Sequence, residues 1–275
     1  MTDDALVAGH YTHGALLEAI RAGVKKLGKT TATISVEDLA PVDEFHIGGR
    51  VATESFLSQL DISRQHHVLD VGCGLGGGSR FAAHHYGCHV TGIDLTQEYV
   101  DAGTELCNWV GLSDQVSLRQ GDATASEYQD QLFDRAFMMH VGMNIADKKS
   151  LARELFRVVV PGGRVGIYDV MGVGDGDLVF PVPWAMSPQG SAVSSAAEYK
   201  SALEDAGFRI TGERNRRDFA LQFFHRLTAQ AANTQGPPAL GLHILMGETA
   251  PVKIRNMVEN ISRHLIAPLE IPPVF

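Results

Sequence analysis

The sequence is poor in cysteine, in positive charge and in long apolar runs. Its 275 residues include three cysteines, an odd number in predicted core segments. This usage favours a reducing compartment, so we expect a cytoplasmic protein. The formal net charge of −9 argues against nucleic acid or an anionic membrane surface as a partner. No apolar run reaches about 18 residues, so we expect no insertion into a membrane.

Sequence patterns for a bound metal are also missing. The chain has 12 histidines, but the adjacent pairs His66-His67 and His84-His85 point their side chains apart on a strand or helix. Neither H-E-x-x-H nor C-x-x-C occurs. We therefore expect no protein-bound metal.

What the sequence does have is a glycine cluster directly after a short apolar run. The run from His67 to Val71 is typical of a buried strand, and a helix can begin around Gly77 to Ser79. A strand, a glycine turn and a helix N-terminus together make a cradle for a nucleotide-like ligand. A tight turn that holds no ligand is the plainer alternative.

The glycines fit two ligand-binding patterns. One pattern is G-x-G-x-x-G of dinucleotide folds, at Gly72, Gly74 and Gly77. The other is the acidic-x-G-x-G-x-G loop of class I S-adenosylmethionine methyltransferases, which the sequence resembles at Asp70, Gly72, Gly74 and Gly76. An acid two positions before the first glycine suits a ligand with an α-amino group and would repel a pyrophosphate.

Later motifs strengthen the methyltransferase resemblance. Asp94 ends a predicted second strand, where a carboxylate can accept both ribose hydroxyls, and Leu95 would lie against adenine. Asp122 and Ala123, in a Gly-Asp-Ala turn, resemble the adenine-binding turn. His140 ends a predicted fourth strand, and its backbone is expected to contact the cofactor. The resemblance implies S-adenosylmethionine as cofactor, S-adenosylhomocysteine as product, and these cofactor-binding residues: Tyr11, Gly49, Asp70, Gly72, Gly74, Gly76, Asp94, Leu95, Asp122, Ala123 and His140.

Two further stretches resemble a bacterial subgroup of this family. Residues 43–53 read D-E-F-H-I-G-G-R-x-A-T and residues 180–185 read F-P-V-P-W-A. Both are similar to the sarcosine/dimethylglycine N-methyltransferases and the ubiquinone/menaquinone C-methyltransferases. The resemblance implies that His46 borders the sulfonium and that Tyr11 folds over the cofactor. The alternatives are that His46 caps the next helix and that Tyr11 only packs.

Coarse elements follow from hydrophobic spacing and turn signals. We expect a helix over 6–28, a short acidic segment over 36–41 and a helix over 52–60. Beyond the β-α core we expect a sixth strand over 208–214, helices over 218–232 and 250–264, and a proline-rich last strand over 265–275 that is short or at an edge.

The expected fold is α/β, a doubly wound Rossmann-like seven-stranded sheet of the class I methyltransferase type with helical cap additions. By resemblance, six strands are parallel and the seventh is antiparallel. We expect one domain over 1–275, with an N-terminal helical lid (1–64), a core (65–217), a cap insertion (218–264) and a last strand (265–275).

The expected function is methyl transfer to a small molecule, with a small amine such as sarcosine or dimethylglycine as the leading acceptor. C- or O-methylation of an aromatic or isoprenoid metabolite, a nicotinamide oxidoreductase and a non-catalytic ligand sensor are the alternatives. A homodimer is a possible assembly. The catalytic candidates are His46, His140 and His243. The substrate-contacting candidates are Phe45, His46, Asn144, Tyr168, Trp184 and His243.

Overall fold

A seven-stranded sheet organises the chain, of which the computed structural model describes residues 4–12, 14–232 and 236–274. The strand order is β3-β2-β1-β4-β5-β7-β6, and β7 runs antiparallel to its neighbours β5 and β6 while the other pairs are parallel. This is the expected class I methyltransferase fold. The strands are β1 His67–Val71, β2 His89–Asp94, β3 Val116–Gln120, β4 Phe133–Met139, β5 Val159–Gly172, β6 Arg214–Asn215 and β7 Ile266–Val274.

Helices cover both faces of the sheet. Successive residues of β1 show this, since Val68 packs into one apolar cluster with α5 whereas Leu69 packs into another with α7. No helix among the described residues is long and apolar enough to cross a membrane. The helices are α1 Asp4–Tyr11, α2 Leu16–Lys26, α3 Val36–Asp43, α4 Gly49–Leu57, α5 Gly77–Tyr86, α6 Gln97–Trp109, α7 Lys148–Val158, α8 Ala196–Ala206, α9 Arg217–Ala232, α10 His243–Met246 and α11 Ala250–Ser262.

The N-terminal region differs from the sequence expectation in two places. The single helix expected over 6–28 is wrong, because the chain forms α1 and α2 with a break between them that contains Gly14 at φ +77°. The acidic segment over 36–41 is the helix α3. A capping box stabilises its start, in which Ser35 and Asp38 satisfy each other's backbone N–H groups.

The last two strands also differ from expectation. The sixth strand is much shorter than 208–214, since only Arg214–Asn215 pairs with β7. The seventh strand is neither short nor at an edge, because it spans nine residues and lies between β5 and β6. Burial explains its place: Ile266, Ala267 and Leu269 are all at most 2% exposed, and burying these side chains outweighs the backbone N–H groups lost at its prolines.

Candidate active site

A cavity of about 330 Å³ opens at the carboxyl ends of β1, β2 and β4. We call it the larger cavity. Its volume lies in the range of small-molecule sites, which begins at roughly 300 Å³. Parallel α/β sheets bind ligands at this edge. The sequence-predicted residues that line it are Tyr11, Phe45, His46, Asp70, Gly72, Gly74, Asp94, Leu95, Asp122, Ala123, His140 and Asn144.

The glycine loop after β1 forms the floor of the larger cavity. Gly72 has φ +67°, and a Cβ there would lie 2.3 Å from the Val141 side chain, so no larger residue fits. Gly74 has φ +53°, and among the described residues a Cβ there would meet Tyr99 alone, at 3.8 Å. The Gly74 N–H donates to Asp94 Oδ2 at 2.8 Å. The loop therefore presents bare backbone to the cavity and is fixed by the acid that ends β2.

Acidic side chains dominate the charge around the larger cavity. Asp70 accepts from Ser79 Oγ at 2.6 Å, and burial raises the pKa of Asp70 to about 7. Burial also raises the pKa of Asp94. No lysine or arginine of the described chain lines this cavity. Such a charge distribution suits a cationic ligand and repels a pyrophosphate. The aspartates on its wall are Asp43, Asp70, Asp94, Asp122 and Asp147.

The turn after β3 is shaped by its own aspartate. Asp122 is exposed, and its Oδ1 accepts from the Thr124 N–H at 2.7 Å and from the Thr124 hydroxyl at 2.8 Å. Ala123 follows on the cavity wall. These hydrogen bonds hold the turn in one conformation on the cavity wall, and its adenine-binding role stays a prediction.

His140 follows β4 and carries an unusual backbone conformation, with φ +58°. Its ring Nε2 lies 3.3 Å from the Ile47 N–H, which can only donate, so Nε2 holds the lone pair. Burial lowers the pKa of His140 well below its ordinary value, so the ring is neutral and its proton sits on Nδ1. That Nδ1 is buried, and no residue that the structure describes is its hydrogen-bond partner. His140 is thus a hydrogen-bond donor, and in this tautomer its Nε2 cannot accept a substrate proton.

A second cavity, of about 70 Å³, adjoins the first and is called here the apolar cavity. The two share four wall residues: Tyr11, Phe45, His46 and His140. The described part of the chain places no charged carboxylate, lysine or arginine on the wall of the apolar cavity. Its other wall residues come mainly from α9, α11 and the loop after β5, and they are Ile47, Met143, Pro183, Trp184, Phe223, Phe224, Leu227, Leu242, Met246, Ile254 and Met257.

Helix α1 lies across the boundary between the two cavities. The Asn144 Nδ2 donates to the Tyr11 hydroxyl at 3.2 Å, and the Tyr11 ring centroid lies 6.3 Å from that of Phe45. The neighbouring His10 Nε2 donates to the Pro183 carbonyl at 3.0 Å. These contacts hold the N-terminal helix as a cover over the site.

Four sequence-predicted residues are not on either cavity wall. Gly76 caps α5 with φ +79° and packs on Leu118, while Gly49 begins α4. Tyr168 is buried and its hydroxyl donates to the Ile47 carbonyl at 2.8 Å, so it supports the backbone that holds His140.

His243 is the clearest departure. It begins α10, which packs against α2, and a nearby Lys26 helps to lower its pKa after burial. His243 therefore lies on neither cavity wall, and nothing in its position supports the catalytic and substrate-contacting roles predicted for it.

Some residues of the cavity wall are not predicted from the sequence. Thr96 and Leu245 line the larger cavity, as do the acids Asp43 and Asp147. Asp43 stands in the quoted stretch over 43–53 and could have been found there. Asp147 follows β4 and is the N-cap of α7, and an aspartate before a helix is ordinarily explained by capping alone.

Comparisons with known proteins agree with this geometry. Residues 68–163 match a family model described as a methyltransferase domain. The chain is 32% identical over 199 residues to phosphoethanolamine N-methyltransferase 1 of Triticum aestivum, an alignment that covers 72% of this chain and 39% of that protein. The chain therefore spans well under half the length of that curated relative.

Solved structures share the fold at low identity. A geranyl diphosphate C-methyltransferase from Streptomyces coelicolor A3(2) superposes with a TM-score of 0.70 at 15% identity, over 98% of this chain and 96% of that one. A protein from Galdieria sulphuraria described as a candidate sarcosine dimethylglycine methyltransferase gives 0.66 at 19% identity, over 82% and 84%. With the family match at residues 68–163, the ordered motifs and the strand order of the sheet, the chain contains a methyltransferase domain with the class I fold.

Proposed function

We propose that this chain transfers a methyl group from S-adenosylmethionine to a neutral, largely apolar small molecule. One observation carries the proposal: an acid-rich cavity shares a wall with a cavity that has no charged side chain among the described residues. The first suits a cationic cofactor and the second suits an apolar acceptor.

The residues around the larger cavity fit the cofactor. Asp70 would face its ammonium group, Asp94 its ribose hydroxyls, and Asp122 with Ala123 its adenine. Gly74 leaves room for close approach, because the described residue nearest to a Cβ there would be Tyr99, at 3.8 Å. When bound, the cofactor supplies a methyl group already activated on a sulfonium. The chain has only to align the acceptor and exclude water.

The apolar cavity favours one acceptor class over the amine expected from sequence. Sarcosine and dimethylglycine carry a carboxylate, and phosphoethanolamine carries a phosphate. Neither anion would find a lysine or arginine on the described walls of the two cavities, so each would lose hydration without a partner. We therefore favour O- or C-methylation of an aromatic or isoprenoid molecule with a hydroxyl or enol group.

Shielding from water supports a small acceptor. Trp184 is 2% exposed and its Nε1–H donates to Ser191 Oγ at 2.9 Å, which fixes the loop after β5 as one wall. Helix α1 covers the other side through Tyr11 and His10. A cytoplasmic location, the absence of a metal and of a nucleic-acid partner, and a homodimer stay predictions, as does the division of 1–275 into lid, core and cap.

A labelled-methyl screen tests the proposal. The whole chain is incubated with S-adenosylmethionine carrying a labelled methyl group and with single acceptors: 2-naphthol, geraniol, sarcosine, dimethylglycine and phosphoethanolamine. We expect label in the 2-naphthol or geraniol fraction and none in the anionic acceptors. Transfer to sarcosine or phosphoethanolamine would overturn the acceptor class, and cofactor binding without any transfer would favour a sensor.

A further inference from the structure

One ring nitrogen of His46 is surrounded by oxygen acceptors. Nε2 lies 3.2 Å from the Gly49 carbonyl oxygen, 3.0 Å from Thr53 Oγ1 and 3.4 Å from Glu44 Oε2. The Thr53 hydroxyl donates its own hydrogen to Glu44 Oε2, so its oxygen is left to accept. The Gly49 carbonyl can only accept, and Glu44 Oε2 already accepts from Thr53, and therefore the His46 proton sits on Nε2.

The other nitrogen of His46 is left with a lone pair. Nδ1 makes no hydrogen bond with the described residues. It is also not fully buried, because it is not one of the buried polar atoms that lack a partner. His46 itself is 9% exposed and lies on the walls of both cavities. The exposed edge of the ring, with its lone pair, is thus the edge open to a ligand.

His46 and His140 are complementary at the shared wall. Their ring centroids lie 6.1 Å apart. The His140 Nε2 is used up by the Ile47 N–H, which leaves that ring a donor, whereas His46 is left an acceptor. The boundary between the cavities therefore holds one hydrogen-bond donor and one hydrogen-bond acceptor.

The surroundings of His46 keep its ring neutral and hold it in one orientation. Burial lowers the pKa of His46 to about 4, and burial raises the pKa of Glu44 to about 7. The Glu44 side chain is fully buried, with Arg50 Nη1 3.0 Å from its Oε1. The Glu44 side chain beside the ring fixes its orientation, and the negative charge of its carboxylate form would offset the positive charge of Arg50 when a proton reaches His46.

We propose that His46 Nδ1 takes up the proton of the small molecule that receives the methyl group, which we call the acceptor. Glu44 and Thr53 are positioning residues that hold the ring for this step. The proposal rests on the proposed methyl transfer. The acceptor's O–H or C–H bond breaks and its proton moves to Nδ1. The electron pair stays on the acceptor and forms the bond to the methyl carbon, while the pair of the old sulfur–methyl bond stays on sulfur. The positive charge of the sulfonium thereby ends on His46, beside Glu44.

Nitrogen NMR on the whole chain tests the ring state without any acceptor. Histidine labelled with ¹⁵N is observed at neutral pH with S-adenosylhomocysteine bound, and His46→Gln assigns the signal. We expect a neutral ring with its proton on Nε2. A ring protonated on Nδ1, or a permanent imidazolium, would overturn the proposal. A lack of S-adenosylhomocysteine binding contradicts the proposed function instead, and the ring state is then read in the free chain.

A matched pair of variants tests the positioning role with the acceptor that the screen identifies. Thr53→Val removes the hydroxyl and should lower kcat about tenfold, while Thr53→Ser keeps it and should stay near the parent. The acceptor KM and the S-adenosylhomocysteine Kd should change little in either. His46→Gln should lower kcat about 100-fold or more. Three results would contradict the proposed roles of His46 and Thr53. These are an equal loss of kcat in both Thr53 variants, a change confined to the acceptor KM, and a His46→Gln variant that stays active.

Discussion

A methyl group added to the floor of the larger cavity should weaken cofactor binding more than folding. The change is Gly74→Ala, at a backbone with φ +53° where the new Cβ would lie 3.8 Å from Tyr99. An L-residue in this left-handed region costs about 1–2 kcal/mol, and the contact distance adds no clash. The new methyl, however, occupies space at the loop that approaches the ligand.

The expected magnitudes separate the two effects. The cost in unfolding free energy should lower Tm by about 2–4 °C per kcal/mol in a chain of this size. Overpacking against a bound ligand typically costs about 1–3 kcal/mol, so the S-adenosylhomocysteine Kd should rise by about 5- to 160-fold. Gly87→Ala is the matched control, because Gly87 has φ +70° with Arg64 3.5 Å from the added Cβ, and it lies outside the cavity walls.

Thermal unfolding and calorimetry are measured on both variants and the parent. We expect similar losses in Tm for Gly74→Ala and Gly87→Ala, with a weakened Kd for Gly74→Ala alone. Parent-like affinity in Gly74→Ala would refute the assignment of this loop to the cofactor. Equal weakening in both would mean that affinity merely follows stability.

Two further outcomes follow from charge and from the apolar wall. The raised pKa of Asp70, about 7, means that its carboxylate is lost below that pH, while the ligand's ammonium stays charged. S-adenosylhomocysteine affinity should therefore fall from about pH 7 to about pH 5, nearly tenfold per pH unit at the lower end. Asp70→Asn should bind weakly and without this pH dependence. A calorimetric titration in which Asp70→Asn keeps the pH dependence of the parent would contradict binding of the ammonium group by Asp70. Leu227→Glu places a charge on the apolar cavity at a side chain that is 39% exposed, so acceptor KM should rise with cofactor Kd unchanged, and Met186→Glu, at 53% exposure away from both cavities, should change neither.

Local patterns in the sequence place most of the predicted cofactor-binding residues around one cavity. The strand His67–Val71 has the expected bounds, and the loop after it leads into a helix at Gly77. Asp70, Asp94 and Asp122 all reach one cavity wall. The reason is topological: parallel strands end at one edge, so a residue placed at a strand end is placed in space as well.

The acceptor side could not be predicted in this way. His243 and Trp184 lie in segments outside the β-α core, and hydrophobic periodicity does not predict how these segments pack. Of the two residues, Trp184 lines a cavity and His243 does not. Glu44, His46 and Thr53 all lie in residues 43–53. The contacts of Glu44 and Thr53 with the His46 ring depend on the turn at Gly48, which has φ +102°. Tyr168 read as a pocket aromatic, yet tertiary packing buries it at 0% exposure behind Ile47.

Calorimetric titration of the whole chain with S-adenosylmethionine, and separately with NAD⁺, tests the central claim most directly. The acid-rich wall predicts saturable binding of one S-adenosylmethionine per chain and no binding heat with NAD⁺, whose pyrophosphate would face Asp70 without a basic partner on the described walls. Saturable NAD⁺ binding, or no binding of S-adenosylmethionine, would contradict the account.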